Sequence, residues 1–266
     1  MNIVVLVKHV PDATGDRRFE PDHTVDRDGV DGLLCELDEY AVEQALRIKE
    51  QRADEDIVVT ALTVGPDDAE DALRKALQMG ADQAVHVNDE AIAGSDAIAT
   101  SLVLAEAVKK AGDGTVPDLV LAGMASTDGG GGVVPAMLAE RLDIPQLTLA
   151  AEVETDGTRV RIRRDTDAAT EVISAAMPLV LSVTDQSGEA RYPSFKGIMA
   201  AKKKPLQTWD LDDLGIDASL VGPDASWTAV ESAAARPPRT TGEIVKDEDG
   251  SGVAALAGFL ADKKFI

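Results

Sequence analysis

One cysteine, three histidines and eight aromatic residues among 266 (2 Trp, 2 Tyr, 4 Phe) leave several chemistries without materials. Cys35 alone cannot close an internal disulfide, and it has no evident neighbour that would activate it as a nucleophile. His9, His23 and His86 show no metal-ligand spacing, which argues against structural zinc and against any metal site. No apolar run approaches membrane-spanning length, and the opening Met-Asn-Ile-Val-Val-Leu-Val-Lys is too short for a signal peptide and has no cleavage site. The expectation is a soluble, cytoplasmic protein with no direct membrane insertion. Basic charge is scarce as well: 26 Lys and Arg stand against 48 Asp and Glu, for a net charge of -22. Without a basic face, no nucleic-acid partner is expected. The acidity is spread along the chain and is mostly Asp, 31 against 17 Glu, with 12 Lys. That pattern suits a halophilic protein whose hydrated acidic surface stays soluble at high salt. No nucleophile, base and acid form a set, so bond-making catalysis is not expected.

What is present is an alternation of β-branched runs and helical patterns, the signature of a mostly parallel sheet covered by helices. Strands are expected at Asn2 to Val7, Ile57 to Val64, Gln83 to Val87, Leu119 to Ala122 and Pro178 to Thr184. Helices are expected at Glu39 to Glu50, from Gly65-Pro66-Asp67 to a stop at Gly80, and at Asp96 to Lys110. Leu147 to Glu154, Thr158 to Arg164 and Thr170 to Ala176, separated by short turns, predict antiparallel hairpins. The fold class is therefore α/β: a Rossmann-like, adenine-nucleotide-binding sheet flanked by helices, with hairpins and an extended C-terminal arm. The expected division is a nucleotide-binding domain over 1–186, a partner-recognition loop over 187–204 and an arm over 205–266. The arm is polar and broken by prolines, with one amphipathic helix carrying Val253, Leu256, Phe259 and Leu260.

The stretch from Asp118 to Pro145 is the most informative: a buried strand, a turn with Gly129 to Gly132 in succession, then a helix. Glycines let a backbone turn its N–H groups toward an anion at the positive end of a helix dipole. The turn is neither G-x-G-x-x-G nor G-x-x-x-x-G-K-[ST], so it stands as a phosphate cradle or as a turn that packs helix tightly on strand. A second feature is locally basic within the acidic chain: Ser187 to Pro205, where Tyr192, Phe195, Ile198 and Met199 sit among turn formers and lysines. Either this is an apolar docking surface, or the aromatics tuck into the core beside a solvated lysine run.

Three blocks resemble the β subunit of electron transfer flavoprotein: Val-Leu-Val-Lys8-His-Val-Pro-Asp12; Leu119-Val-Leu-Ala-Gly-Met-Ala-Ser-Thr-Asp-Gly with Leu138-Ala-Glu-Arg-Leu-Asp-Ile-Pro145; and Arg191-Tyr-Pro-Ser-Phe-Lys-Gly-Ile-Met-Ala-Ala-Lys-Lys-Lys204. Supporting matches are Asp38 to Arg47 and Leu73 to Asp82. The resemblance implies a heterodimer whose α subunit holds most of an FAD, while the β chain completes the flavin environment and buries an AMP. It implies electrons taken from flavin dehydrogenases such as acyl-CoA dehydrogenases of fatty acid oxidation and passed to a membrane quinone reductase. By position, the family's AMP site falls on Leu6, Cys35, Glu36, Leu37, Asp38, Val64, Gly123, Met124, Ala125, Ser126, Thr127, Asp128, Gly129, Gly130, Gly131, Gly132, Val133 and Val134. The family often has Asn-Pro where this chain has Cys35-Glu36. Asp128 is implied to orient the turn or accept from a ribose hydroxyl, with a helix cap as the plain alternative. Asp12 to Thr14 correspond to a loop that approaches the flavin, with Ala13 where some relatives carry an aromatic. The partner surface falls on Arg191, Tyr192, Pro193, Phe195, Ile198, Met199, Lys202, Lys203 and Lys204, with Phe195 at the anchor. Ala93 to Ser101 has some likeness to members that replace AMP with a second FAD and bifurcate electrons. Outside the family, a stand-alone adenine-nucleotide-binding regulator would account for the glycine turn but not for the basic segment; a hydrolase or ligase would need a catalytic set that is not found.

Overall fold

A computed structural model describes residues 1–27, 29–234, 236–238, 242, 244–247 and 250–266. Seven strands form one parallel sheet, in the order β12 (Leu206–Trp209), β5 (Gln83–Val87), β4 (Val58–Val64), β1 (Asn2–Leu6), β6 (Leu119–Gly123), β11 (Leu179–Val183), β7 (Gln146–Ala150). Its central strands read as unbroken apolar runs because both faces are covered, so each side chain meets a helix whichever way it points. Ile3, Val5, Leu119, Leu121, Leu179 and Leu181 pack toward α1 (Glu36–Gln51) and α2 (Glu70–Met79); Val4, Leu62, Val120 and Val180 pack toward α3 (Ala97–Ala111) and α4 (Val134–Leu142). The short α5 (Phe195–Ala201) joins the first layer through Ala201, and α6 (Leu211–Leu214) joins the second through Leu211.

Helix ends follow local rules. Asp96 accepts from the Ala99 N–H and caps α3; Gly80, at φ 147°, ends α2 where a side chain would be strained. The antiparallel elements lie apart from the main sheet: β2 (His9–Pro11) with β3 (Gly32–Leu34), and β8 (Glu152–Thr155), β9 (Arg159–Asp165) and β10 (Thr170–Ala176) as a three-stranded sheet. On β9, Val160 and Ile162 turn inward while Arg161 and Arg163 pair outward with Glu154 and Glu152.

Two expectations are revised. The run from Leu147 to Glu154 is not one hairpin strand; β7 pairs in parallel with β11, and the antiparallel sheet starts at Glu152. The cause is a break at Leu149, which sits at φ 60°, gives its N–H to Ser182 Oγ and lies beside an irregularity in the β11 register. Residues 206–231, expected in the arm, belong instead to the first compact unit, Met1–Glu231, with β12 at the sheet edge. Ser232–Ile266 is a separate unit. It contains α7 (Ser251–Asp262), whose Val253, Leu256 and Phe259 are exposed. Positions 235, 239–241, 243 and 248–249 of the expected arm lie outside the described residues.

Candidate functional site

Because all seven strands are parallel, their carboxyl ends share one edge, and the strand order reverses at β1, which has β4 on one side and β6 on the other. Ligands of open α/β sheets bind at such a switch point. Leu6 ends β1, Val64 ends β4 and Gly123 ends β6, so three separated parts of the sequence-derived nucleotide site meet on this edge. The fourth part, Cys35 to Asp38, opens α1.

Asp38 joins these parts. Its carboxylate accepts the Lys8 N–H at 2.9 Å, just past β1, and the Gly123 N–H at 3.2 Å, at the end of β6. Gly123 has to be glycine here: a Cβ would lie 2.6 Å from Asp38 Oδ1 and 2.7 Å from the Leu37 carbonyl. Burial raises the Asp38 carboxyl to about 7, against the pull of its two backbone donors. Cys35 is fully buried, with Sγ 3.9 Å from the Ala125 carbonyl. Its thiol is pushed up by burial and by the nearby Asp38, so it packs rather than reacts. Glu36 accepts from Thr127 Oγ1 at 3.3 Å and Leu37 lies beneath Gly123.

The turn itself is braced from below and open above. The Asp128 side chain is 1% exposed and lies between Lys8 Nζ at 2.8 Å and Arg27 at 2.7 Å. Burial opposes its ionisation, but the Lys8 charge and hydrogen bonds from Lys8, Ser126 and Arg27 hold the carboxyl well below the usual range. Asp128 also accepts the Gly129 N–H at 2.6 Å, so it orients the turn; it does not cap α4, whose N-cap is Val133 with no side-chain bond. Gly130 and Gly132 take φ 60° and 64°, and a Cβ on Gly130 would meet nothing within 4 Å. Gly129 to Val133 are exposed, Met124 to Asp128 and Val134 less so. Among the described residues, the N–H groups of Gly131 to Val134 have no hydrogen-bond acceptor. An uncapped helix start behind exposed glycine N–H groups is an anion-binding geometry.

Sequence reasoning placed Asp12 to Thr14 in an N-terminal loop but missed the cations by which that loop closes on this turn. Arg17 donates to the Thr127 carbonyl at 2.8 Å and to Pro11 and Asp12 carbonyls, while Arg27 reaches Asp128. The signal was available: Lys8, Arg17, Arg18 and Arg27 are the few cations in a stretch rich in Asp. Asp12 to Thr14 begin this loop, with Asp12 accepting from the Thr14 N–H and hydroxyl.

The basic segment is a second candidate surface. Tyr192 is 91% and Phe195 81% exposed, and Ile198 and Met199 on α5 continue the apolar patch. Ser194 caps α5 by accepting from Gly197 N–H, and Pro193 is half-buried. The aromatics therefore face out, not into the core. Lys202 and Lys203 are exposed, whereas the Lys204 ammonium turns inward and donates to the Leu77 and Ala81 carbonyls at 3.0 and 2.6 Å, closing the end of α2. Arg191 likewise turns inward, onto Glu43 and Glu50 of α1. Among the described residues no His, Cys, Asp and Glu cluster could hold a metal ion, and no helix is long and apolar enough to cross a membrane.

A family model described as the electron transfer flavoprotein domain matches residues 22–214. The chain is similar to the electron transfer flavoprotein subunit beta of Mycobacterium tuberculosis, 44% identical over 270 residues that cover 100% of this chain and 99% of the relative. It is similar to the protein of the same name from Megasphaera elsdenii, 36% identical over 253 residues, 94% of this chain and 93% of that one. Subunit CarD of the caffeyl-CoA reductase-Etf complex of Acetobacterium woodii is 34% identical over 264 residues, 99% and 97% of the two chains.

Proposed function

Because this chain belongs to the electron transfer flavoprotein family, as a β subunit, we propose that it buries an AMP at the carboxyl edge of its sheet, completes the FAD site of a heterodimer with an α subunit, and docks flavin dehydrogenases through Phe195. The observation that carries the reading is the turn from Gly129 to Val133, whose N–H groups from Gly131 onward are open, among the described residues, in front of an uncapped helix start. The fit to an adenylate is chemical: glycine N–H groups and the start of α4 for the phosphate, with Leu6 and Val64 as apolar walls. Lys8, Arg17 and Arg27 gather cations at the turn in a chain of net -22, and Asp128 and Glu36 offset part of that charge.

The flavin supplies the redox chemistry when bound, and the β chain contributes surroundings. In this reading, Asp12 to Thr14 provide backbone near the ring, since Ala13 has no aromatic to offer. Phe195 is the anchor an acyl-CoA dehydrogenase would bury, and the assembled carrier passes electrons on to a membrane quinone reductase. The unit from Ser232 onward, with an exposed apolar helix and no buried hydrophobic side chain among its described residues, is proposed to wrap the α subunit.

A second reading, FAD in place of AMP, draws on the stretch Ala93 to Ser101. Against it stands the use already made of Asp96: its carboxylate accepts from Ala99 N–H, Trp227 N–H, Thr228 N–H and Thr228 Oγ1, so its acceptor capacity is taken by the chain itself. Co-expression with the α chain tests the proposal. The expected product is a yellow heterodimer, and a colourless β chain that fails to associate would overturn it.

A further inference from the structure

The inner side of the docking segment is as heavily bonded as its outer side is bare. Glu43, two turns into α1 and 5% exposed in its side chain, faces the segment. Its Oε1 accepts from Arg47 Nε at 2.7 Å and from the Arg191 guanidinium at 3.2 Å; its Oε2 accepts from Arg191 Nε at 2.6 Å and from the Arg191 backbone N–H at 3.2 Å. A carboxylate has about four acceptor positions, and all are filled. Around it, Gln44 donates to the Ser187 carbonyl at 2.7 Å, Arg47 to the Glu189 carbonyl at 2.9 Å, and Arg191 reaches Glu50.

The other end of the segment is mounted separately. Gly197 brings α5 so close to α2 that a Cβ would lie 2.5 Å from the Gln78 carbonyl, and Lys204 closes α2. Tyr192 to Phe195 therefore bridge two mounts on two helices. Among the described residues, Glu43 is the one group that holds both the side chain and the backbone of Arg191, which precedes Tyr192.

We propose that Glu43 is a positioning residue for docking: through Arg191 it sets the place of the Tyr192 to Phe195 crown before a dehydrogenase arrives. This role rests on Phe195 being the docking anchor. An exposed anchor contributes most when its conformation is set in advance, because the ordering cost is then not charged against association. Burial works against ionisation of Glu43, yet the hydrogen bonds from Arg191 and Arg47 outweigh it and keep the carboxyl below its ordinary range. Glutamine at this position turns one oxygen into a donor that faces two donors, whichever way the amide is placed. Shape is preserved while the brace is lost.

The test uses the FAD-loaded heterodimer as electron acceptor for an acyl-CoA dehydrogenase reduced by its acyl-CoA substrate. Glu43→Gln should raise KM for the heterodimer about fivefold with kcat within about twofold, the loss expected of one charge-assisted contact. Phe195→Ala should raise KM more, and in the double variant Glu43→Gln should add nothing, because there is no anchor left to place. Amide exchange over 187–194 should quicken in Glu43→Gln while α1 stays protected. Should Glu43→Gln fail to fold, Glu50→Gln, an exposed position on the same Arg191, replaces it and should raise KM up to about twofold. Effects of Glu43→Gln and Phe195→Ala that multiply, or a Glu43→Gln heterodimer with unchanged KM beside a Phe195→Ala one that is impaired, would overturn the positioning role alone. An unchanged KM in Phe195→Ala would remove the docking reading beneath it.

Discussion

The glycine turn and the segment from Arg191 to Lys204 are built on the same device and present opposite surfaces. Each rests on a buried carboxylate held between two cations: Asp128 between Lys8 and Arg27, Glu43 between Arg47 and Arg191. Next to Asp128, Gly129 to Val133 expose backbone and no side chain larger than valine; next to Glu43 the chain exposes Tyr192 and Phe195. The brace, then, does not determine the class of ligand. It makes a loop stiff enough to present something, and in the proposed function residue type in the outer layer decides whether an anion or a protein surface is met.

The comparison can be broken most forcefully at its tightest contact. Gly123→Ala places a methyl group against Asp38 and the Leu37 carbonyl, neither of which can retreat without releasing β6 from α1. A loss of about 3 kcal/mol in unfolding free energy is expected, at the upper end for overpacking, with nucleotide content falling alongside; urea denaturation measures it. A mild effect would mean that the carboxyl edge is looser than its hydrogen bonds indicate.

Phe195→Ala comes next and should separate the two regions cleanly. Dehydrogenase docking should weaken by about 2 kcal/mol, while heterodimer stability stays within about 0.5 kcal/mol, since the ring is 81% exposed. Titration calorimetry and thermal melts give the two values. Nucleotide and flavin content should not move.

The pH dependence sharpens the contrast by sign, at no more than about 1.4 kcal/mol per pH unit from any one group. Asp128 and Glu43 have depressed carboxyls, so the stability they contribute is present above the unfolded value and is lost as pH falls through their folded values. Asp38 runs the other way. Burial lifts it from 3.8 to about 7, so the folded state holds its proton longer than the unfolded chain, and stability declines as pH rises between those two values. Asp38→Asn, neutral at every pH, should remove that slope from a series of urea midpoints; a slope that persists would place its origin elsewhere.

The smallest effect is expected of Lys202→Glu with Lys203→Glu. Both lysines are exposed and outside the brace, so docking rates should fall about twofold at low salt and recover at high salt, where screening shortens the reach of charge. Stopped-flow reduction rates across a salt series would show it.

Much of the sheet was legible because a strand covered on both faces must be apolar along its whole length. Gln83–Val87 could be read to the residue, and Gly80 announced the end of α2. The glycine turn was legible for a similar reason, since four glycines in succession have no packing value of their own. What stayed hidden is what depends on distant partners. Asp38 meets Gly123 across 85 positions and Glu43 meets Arg191 across 148, separations at which no periodicity speaks. The segment from Arg191 to Lys204 was visible as a basic, apolar stretch, but nothing local distinguished Lys202 and Lys203, which face solvent, from Lys204, which closes a helix. Strand β12 was obscured by its length, four residues between Pro205 and a capping box at Asp210. The break at Leu149 required a left-handed leucine that no propensity foresees.

The central claim is that the turn from Gly129 to Val133 cradles an adenylate, and the most direct measurement is the nucleotide released on denaturing the gently purified heterodimer. Chromatography of the extract should give one AMP and one FAD per heterodimer. Two FAD without AMP, or one FAD with no adenylate at all, would contradict it.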